Sequence, residues 1–216
     1  MAAKGKGSSF ERDIARMISL WFSEEKSADW FWRTQSSGGR ATQLRKTGKM
    51  LTKQFGDIVA VEKEGEPLTD KFCFELKTGY GASRKKNEKK VISNWCILDG
   101  IDSKQKETVF DKFWKQCVND ADASHRIPIL IFRRNLMSCC IAMKSNLHNR
   151  LKEWYGPVHT NKGILYFESR FGDIVFMNLD DFFSWTPSFL PFINFLNEVR
   201  YVSRTVGRPK NRRKPS

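Results

Sequence analysis

The chain has no CxxC pair among its five cysteines, Cys73, Cys96, Cys117, Cys139 and Cys140, and its three histidines, His125, His148 and His159, lack zinc-ligand spacing. A structural zinc site is therefore not expected. An odd cysteine count, with no apolar secretory signal in residues 1–9, argues for reduced thiols and a cytoplasmic protein, with Cys73 and Cys117 as small core residues. Glycine (14) and proline (7) are too few for a collagen-like or low-complexity chain. The longest uncharged run, 182–197, is 16 residues long and is broken by Pro187 and Pro191. A membrane span needs about 20 apolar residues, so none is expected. Gly48-Lys49 lacks both the upstream glycine and the following hydroxyl of a phosphate-binding loop, which excludes an ATP-driven motor built on that motif.

Acidic residues are also scarce: 24 Asp and Glu face 38 Lys and Arg, for a net charge of +14. Arg200, Arg204, Arg208, Lys210, Arg212, Arg213 and Lys214 give residues 199–216 a charge of +7 with no acid, so half of the excess lies in a tail. Such tails bind polyanions by releasing counterions. No amphipathic helix or lipidation signal accompanies this one, so nucleic acid is the expected partner rather than membrane. Gly207-Arg208-Pro209-Lys210 resembles the core of an AT-hook, which reads the minor groove, so Arg208 and Lys210 are candidate DNA contacts. With 40% apolar and 13% aromatic residues, the rest can bury one sizeable core.

Phe10, Ile14, Met17, Ile18 and Trp21 follow helical spacing, which predicts an amphipathic helix over residues 9–22. A Ser/Gly/Thr-rich loop at 33–47 carries Arg33, Ser36, Ser37 and Arg40, and a second basic stretch at 84–90 carries Lys85 and Lys86; both suit phosphate contacts. Two β-prone runs, 57–61 and 71–77, flank Glu-Lys-Glu-Gly-Glu-Pro and predict a hairpin. A helix over 108–120 precedes the short apolar run 127–132, the alternation of an α/β fold. Further strands are expected at 138–143, 163–168 and 173–177, then helical pieces rich in Phe and Trp, read as core, over 180–201. Phe55-Gly-Asp-Ile-Val59 recurs as Phe171-Gly-Asp-Ile-Val175. Because no Glu-x-Lys follows the second copy, Asp173 is expected in a turn, outside any site.

A hairpin centred near Glu66 would set Asp57 opposite Glu75, and strand alternation would put Lys77 on the same face. Like charges directly opposed on a strand pair are destabilising unless something neutralises them. An oxygen-only pair suits a hard cation, Mg²⁺ or Mn²⁺, and a nearby lysine can orient the attacking water. On spacing alone, a surface salt-bridged patch is an equal alternative, although charges in an apolar strand are costly without a purpose.

These residues resemble the PD-(D/E)XK nuclease superfamily: Gly56-Asp57 followed by Glu75-x-Lys77, with Gly where the motif has Pro. The opening Lys6-Gly-Ser-Ser-Phe-Glu11-Arg12 is similar to that of archaeal Holliday junction resolvases and related phage nucleases. The loop Arg33-Thr-Gln-Ser-Ser-Gly-Gly39 is similar to their DNA-contact loop, and Gln116 followed by 127–133 to their closing helix and strand. The resemblance spans residues 4–134. It implies a restriction-endonuclease-like α/β core with a mixed sheet flanked by helices, and metal-dependent hydrolysis of DNA. Asp57, Glu75 and Glu11 would hold one or two Mg²⁺, Lys77 would serve the water, and Gln116 would support the site. Without the resemblance, Ser8-x-x-Glu11 reads as a capping box.

The expected organisation is a nuclease core at 1–142, an extension packed on it at 143–199 and a disordered basic tail at 200–216. The expected activity is that of a resolvase-like, structure-selective endonuclease from a phage, virus or bacterium, acting on branched or duplex DNA as a homodimer, since symmetric incision of a four-way junction calls for two sites. The alternatives are a restriction-like or recombination-associated nuclease of the same fold, and a non-catalytic basic DNA-binding protein.

Overall fold

The structure, a computed structural model, describes residues 6–34, 55–79, 107–160, 162–169, 172–186 and 189–199. Ser36, Ser37, Arg40, Lys85, Lys86, Arg208 and Lys210 lie outside these segments, as does the basic tail.

The first helix, α1 (Lys6–Phe22), buries Phe10, Ile14, Ile18 and Phe22, one every fourth residue. This stripe is what a 3.6-residue period places on one face. Its start lies two residues ahead of Ser8, so Ser8 stands inside the helix and cannot be its cap; the capping-box alternative for Glu11 fails on that ground. Ser19, buried one turn before the end, accepts the Phe31 backbone N–H at 3.0 Å and leads the chain back along the helix. There β1 (Phe31–Arg33) pairs antiparallel with β2 (Ile58–Ala60), Arg33 opposite Ile58.

The expected hairpin between 57–61 and 71–77 does not form. The intervening residues coil into a 3₁₀ turn (Lys63–Gly65) and a short helix, α2 (Glu66–Lys71), with Pro67 in its first turn, where a missing N–H costs nothing. The second run becomes β3 (Phe72–Thr78), which pairs in parallel with β4 (Ile127–Arg133). Between them lies α3 (Val109–Ser124). Its start is set by a reciprocal cap: Thr108 Oγ1 accepts the Asp111 N–H at 3.1 Å, and Asp111 Oδ2 accepts the Thr108 N–H at 2.8 Å. His125, at φ +54°, closes it in the left-handed conformation.

The sheet continues through β5 (Cys140–Lys144), and after α4 (Ser145–Tyr155) it is completed by β6 (Leu165–Ser169) and β7 (Gly172–Asn178). The order is β3-β4-β5-β7-β6, mixed, with β3–β4 the parallel pair. The boundary expected at 142/143 falls within β5. Asp173 lies inside β7 rather than in a turn, opposite Glu168. Two helices close the described chain, α5 (Leu179–Trp185) and α6 (Phe189–Glu198).

Strand alternation divides the core. Phe72, Phe74 and Leu76, with Ile127, Ile129 and Ile131, face the layer built from α1, α4, α5 and α6. Leu130 and Phe132 face Phe110, Trp114 and Cys117 of α3. The C-terminal aromatics Phe182, Phe192 and Phe195 are buried, and the Trp21 indole stacks on Phe183 at 5.0 Å while donating to the Thr186 carbonyl at 2.8 Å. The odd positions of β3 thus look toward α3, and two of them carry charge.

Candidate active site

Gly56 and Asp57 sit where β2 approaches the edge of β3. The Asp57 N–H donates to the Phe74 carbonyl at 2.7 Å, and its own carbonyl accepts the Thr34 N–H at 2.9 Å. Asp57 Oδ2 accepts the Leu76 N–H at 2.8 Å. These bonds fix the carboxylate against β3 and leave Oδ1 outside the last of them. Gly56 makes the approach possible. Its φ is +77°, and a Cβ there would lie 2.6 Å from the Phe74 carbonyl oxygen. Proline, whose ring holds φ near −65°, could not occupy this position. The exchange of Gly for the motif's Pro therefore belongs to a different local backbone.

Glu75 is 3% exposed. Its Oε1 accepts from the Lys77 ammonium and from Gln116 Nε2, the latter at 2.7 Å. Lys77 also lies 5.4 Å from the centre of the Phe113 ring. Asp57, Glu75, Lys77 and Gln116 thus converge from three elements, although the hairpin geometry expected to unite the first three is absent. What brings Asp57 to Glu75 is the contact of Gly56 and Asp57, just ahead of β2, with the β3 edge at Phe74 and Leu76.

The electrostatics of the pair follow from burial. Loss of solvent pushes the Asp57 carboxyl well above the usual carboxylate range; Glu75 adds repulsion, while the Leu76 N–H and Lys77 oppose the rise. Glu75 is also raised by burial, against Lys77, with Asp120 and Glu11 adding negative charge. Glu11 therefore acts on both carboxyls, but its Oε2 is paired with Arg33 at 3.2 Å. Arg33, expected at DNA, here reaches the acid of α1.

Asp120 was not anticipated. It lies one helical turn beyond Gln116, a spacing visible in the sequence and meaningful only once Gln116 was known to face Glu75. Both residues line an open groove of about 280 Å³ together with Lys112, Lys115 and Asn119. Cys73 and Cys117 are free and buried between β3 and α3, and burial pushes the Cys73 thiol up to about 12.

Among the described residues no group of three or more His, Cys, Asp or Glu side chains gathers as a metal cage. The Asp57–Glu75 pair nevertheless suits a hard cation: it is all oxygen, and loss of solvent makes the charged form of each carboxyl costly, with the other acids of the site adding to that cost. Mg²⁺ is commonly held by one or two carboxylates, with waters and substrate phosphate completing its shell.

A mixed five-stranded sheet with helices on both faces, carrying Asp57 and Glu75-x-Lys77 at its first edge, is a restriction-endonuclease-like α/β fold. The chain belongs to the family described as phage putative PDDEXK endonuclease, whose model matches residues 2–190. No curated protein and no solved structure matches it. The family places the chain among nucleases, and PD-(D/E)XK nucleases generally use divalent metals. No helix among the described residues is long and apolar enough to cross a membrane.

Proposed function

We propose that this protein is a metal-dependent DNA endonuclease with structure-selective, resolvase-like activity, and that Asp57, Glu75 and Lys77 carry the chemistry. The observation that carries the reading is a pair of carboxyls, Glu75 buried and Asp57 half-buried, both raised chiefly by loss of solvent, with an ammonium and an amide aimed at Glu75. A solvated salt-bridged patch has no such burial, which argues against a non-catalytic reading.

Asp57 and Glu75 would hold Mg²⁺ or Mn²⁺, with Glu11 as a third carboxylate once it leaves Arg33. Bound there, the ion supplies neutralising charge for a phosphate and lowers the pKa of a water. Asp57 is held in place by backbone bonds, so its free oxygen needs no reorganisation. Gln116 fixes the orientation of Glu75. Lys77 donates to the attacking water or to the charge that develops on the phosphate oxygens. Phosphate contacts would come from Arg33, Ser36, Ser37, Arg40, Lys85 and Lys86, which position the DNA without reading its sequence, and Arg208 and Lys210 would add contacts from the tail. The protein acts in the cytoplasm of the infected or host cell as a homodimer, which gives a four-way junction two sites. The core at 1–142 and the extension at 143–199, which share β5, would supply chemistry and support, and the tail at 200–216 salt-sensitive affinity.

The test is incubation with four-way, nicked and linear duplex DNA in Mg²⁺ or Mn²⁺, beside Lys77→Ala and Asp57→Asn. Wild type should cut the branched substrate fastest, and the variants should not cut. Equal cutting by the variants sinks the assignment of residues, and equal cutting of all substrates removes the structural selectivity.

A further inference from the structure

The turn joining β4 to β5 has an unusual tip. Leu136 is 104% exposed and Met137 is 54% exposed, two neighbouring apolar side chains in water. The turn is closed by the Met137 N–H donating to the Arg134 carbonyl at 3.1 Å. Leu136 occupies it at φ +62°, a conformation that Gly or Asn adopts with far less strain. Isolated exposed leucines are ordinary on protein surfaces. A strained, adjacent Leu-Met pair at a loop tip is not explained that way.

Its surroundings are cationic. Arg134 leads into the tip, next to Arg133, whose guanidinium lies over the Phe10 ring at 4.8 Å, and Lys162 bonds Ser138 Oγ at 2.9 Å on the far side. Arg134 and Lys162 both bear on the Cys140 thiol, which places them beside the strand that leaves the turn. The tip also shares an end of the sheet with the site. Glu75 pairs with Leu130 and Lys77 with Phe132, so β4 runs from the carboxylates straight to the turn. Six residues at about 3.3 Å each put Leu136 no more than roughly 20 Å along the chain from the Glu75 register. That distance is about six base steps at ~3.4 Å per step.

We propose that this turn is a DNA wedge: Leu136 and Met137 enter the base stack near the scissile phosphate, while Arg134 and Lys162 hold the phosphates on either side. Apolar side chains inserted between base steps unstack them and kink the duplex, at a cost that is lowest where pairing is already broken. The inference rests on the nuclease reading above and supplies the means of its structural selectivity.

The experiment uses the full chain carrying Asp57→Asn, bound without cleavage to four-way and linear DNA with 2-aminopurine at successive positions. Fluorescence should rise at one or two adjacent positions within about six steps of the cut that wild type makes. Adding Leu136→Asn and Met137→Ser should abolish the rise and weaken junction binding about tenfold, without lowering Tm, because Asn suits the left-handed tip. Arg134→Ala should weaken binding and reduce its salt dependence. The wedge is overturned by bound DNA that shows no rise, by an unchanged rise in the double variant, or by a double variant that alters only self-association in sedimentation. If DNA is unstacked as expected but wild type cuts nothing, the wedge stands and the nuclease reading falls. Cutting without unstacking has the opposite meaning.

Discussion

The chain contains the same five residues twice, Phe55-Gly-Asp-Ile-Val59 and Phe171-Gly-Asp-Ile-Val175, and does different things with them. In both copies the glycine has a positive φ, +77° at Gly56 and +102° at Gly172, and the first isoleucine is buried. In both copies the aspartate also meets a glutamate, Glu75 in one and Glu168 in the other. Glu168 and Asp173 are exposed across the β6–β7 pair, where water screens their repulsion. Asp57 is half-buried and Glu75 is fully buried, with Lys77 and Gln116 bonded to Glu75. A pair of acids becomes a reactive site through what surrounds it, since burial is what makes its charge costly and a cation's arrival favourable.

The sharpest way to break this comparison is to exchange the two aspartates for asparagine. Asp57→Asn should lower the cleavage rate by about 10³-fold, roughly 4 kcal/mol at 1.36 kcal/mol per tenfold, whereas Asp173→Asn should cut like wild type in the same gel assay. If both variants cut normally, the difference between the copies has no catalytic meaning.

The glycines come next. A Cβ on Gly56 would meet the Phe74 carbonyl oxygen at 2.6 Å, while one on Gly172 would meet nothing within 4 Å. Gly56→Ala should cost about 3 kcal/mol through strain and clash together, and Gly172→Ala about 1 kcal/mol through left-handed strain alone. Thermal melts separate the two, because 1 kcal/mol moves Tm by about 2–4 °C in a chain of this size.

Acidity should expose the buried pair from another side. Both carboxyls have folded pKa values raised above their unfolded ones. A group shifted that way favours the folded state below its unfolded pKa and loses that contribution as pH rises through the folded value. In a metal-free buffer, Asp57→Asn should therefore raise stability near neutral pH, by about 1 kcal/mol. Mg²⁺ should raise Tm more at pH 8 than at pH 5, because a ligand carboxylate must be deprotonated. A metal-free Asp57→Asn protein less stable than wild type at neutral pH would contradict the raised pair.

The smallest effect expected on cleavage is at Gln116, which holds Glu75 without carrying charge. Gln116→Ala should reduce cleavage about tenfold, or 1.4 kcal/mol, and raise the Mg²⁺ concentration needed for half-maximal rate. A loss of rate with unchanged Mg²⁺ dependence would mean that Gln116 does not act through Glu75.

Much of this was legible in the residues. The periodicity of Phe10, Ile14 and Ile18 marked α1, and the alternation from Phe72 to Lys77 marked β3 with its charges on the face opposite Phe74 and Leu76. The segment between Asp57 and Glu75 was misread, because Glu-Gly-Glu-Pro is turn chemistry in a hairpin and equally the start of a short helix with Pro in its first turn. Local preference could not separate the two. Burial against Phe31 and the β2–β3 contact decided it. Asp120 and the Arg33–Glu11 pair were illegible for a similar reason, since each depends on which helix face meets which strand.

The sequence by itself determined a basic α/β chain with an Asp, a Glu-x-Lys and an amphipathic first helix, because composition and periodicity are properties of residues taken locally; the resemblance of those motifs to the PD-(D/E)XK family is what pointed to a nuclease. Only the tertiary structure decided that Asp57 meets a buried glutamate while Asp173 meets an exposed one. The free energy of a charge depends on its surroundings, and those are assembled from residues far apart in the chain.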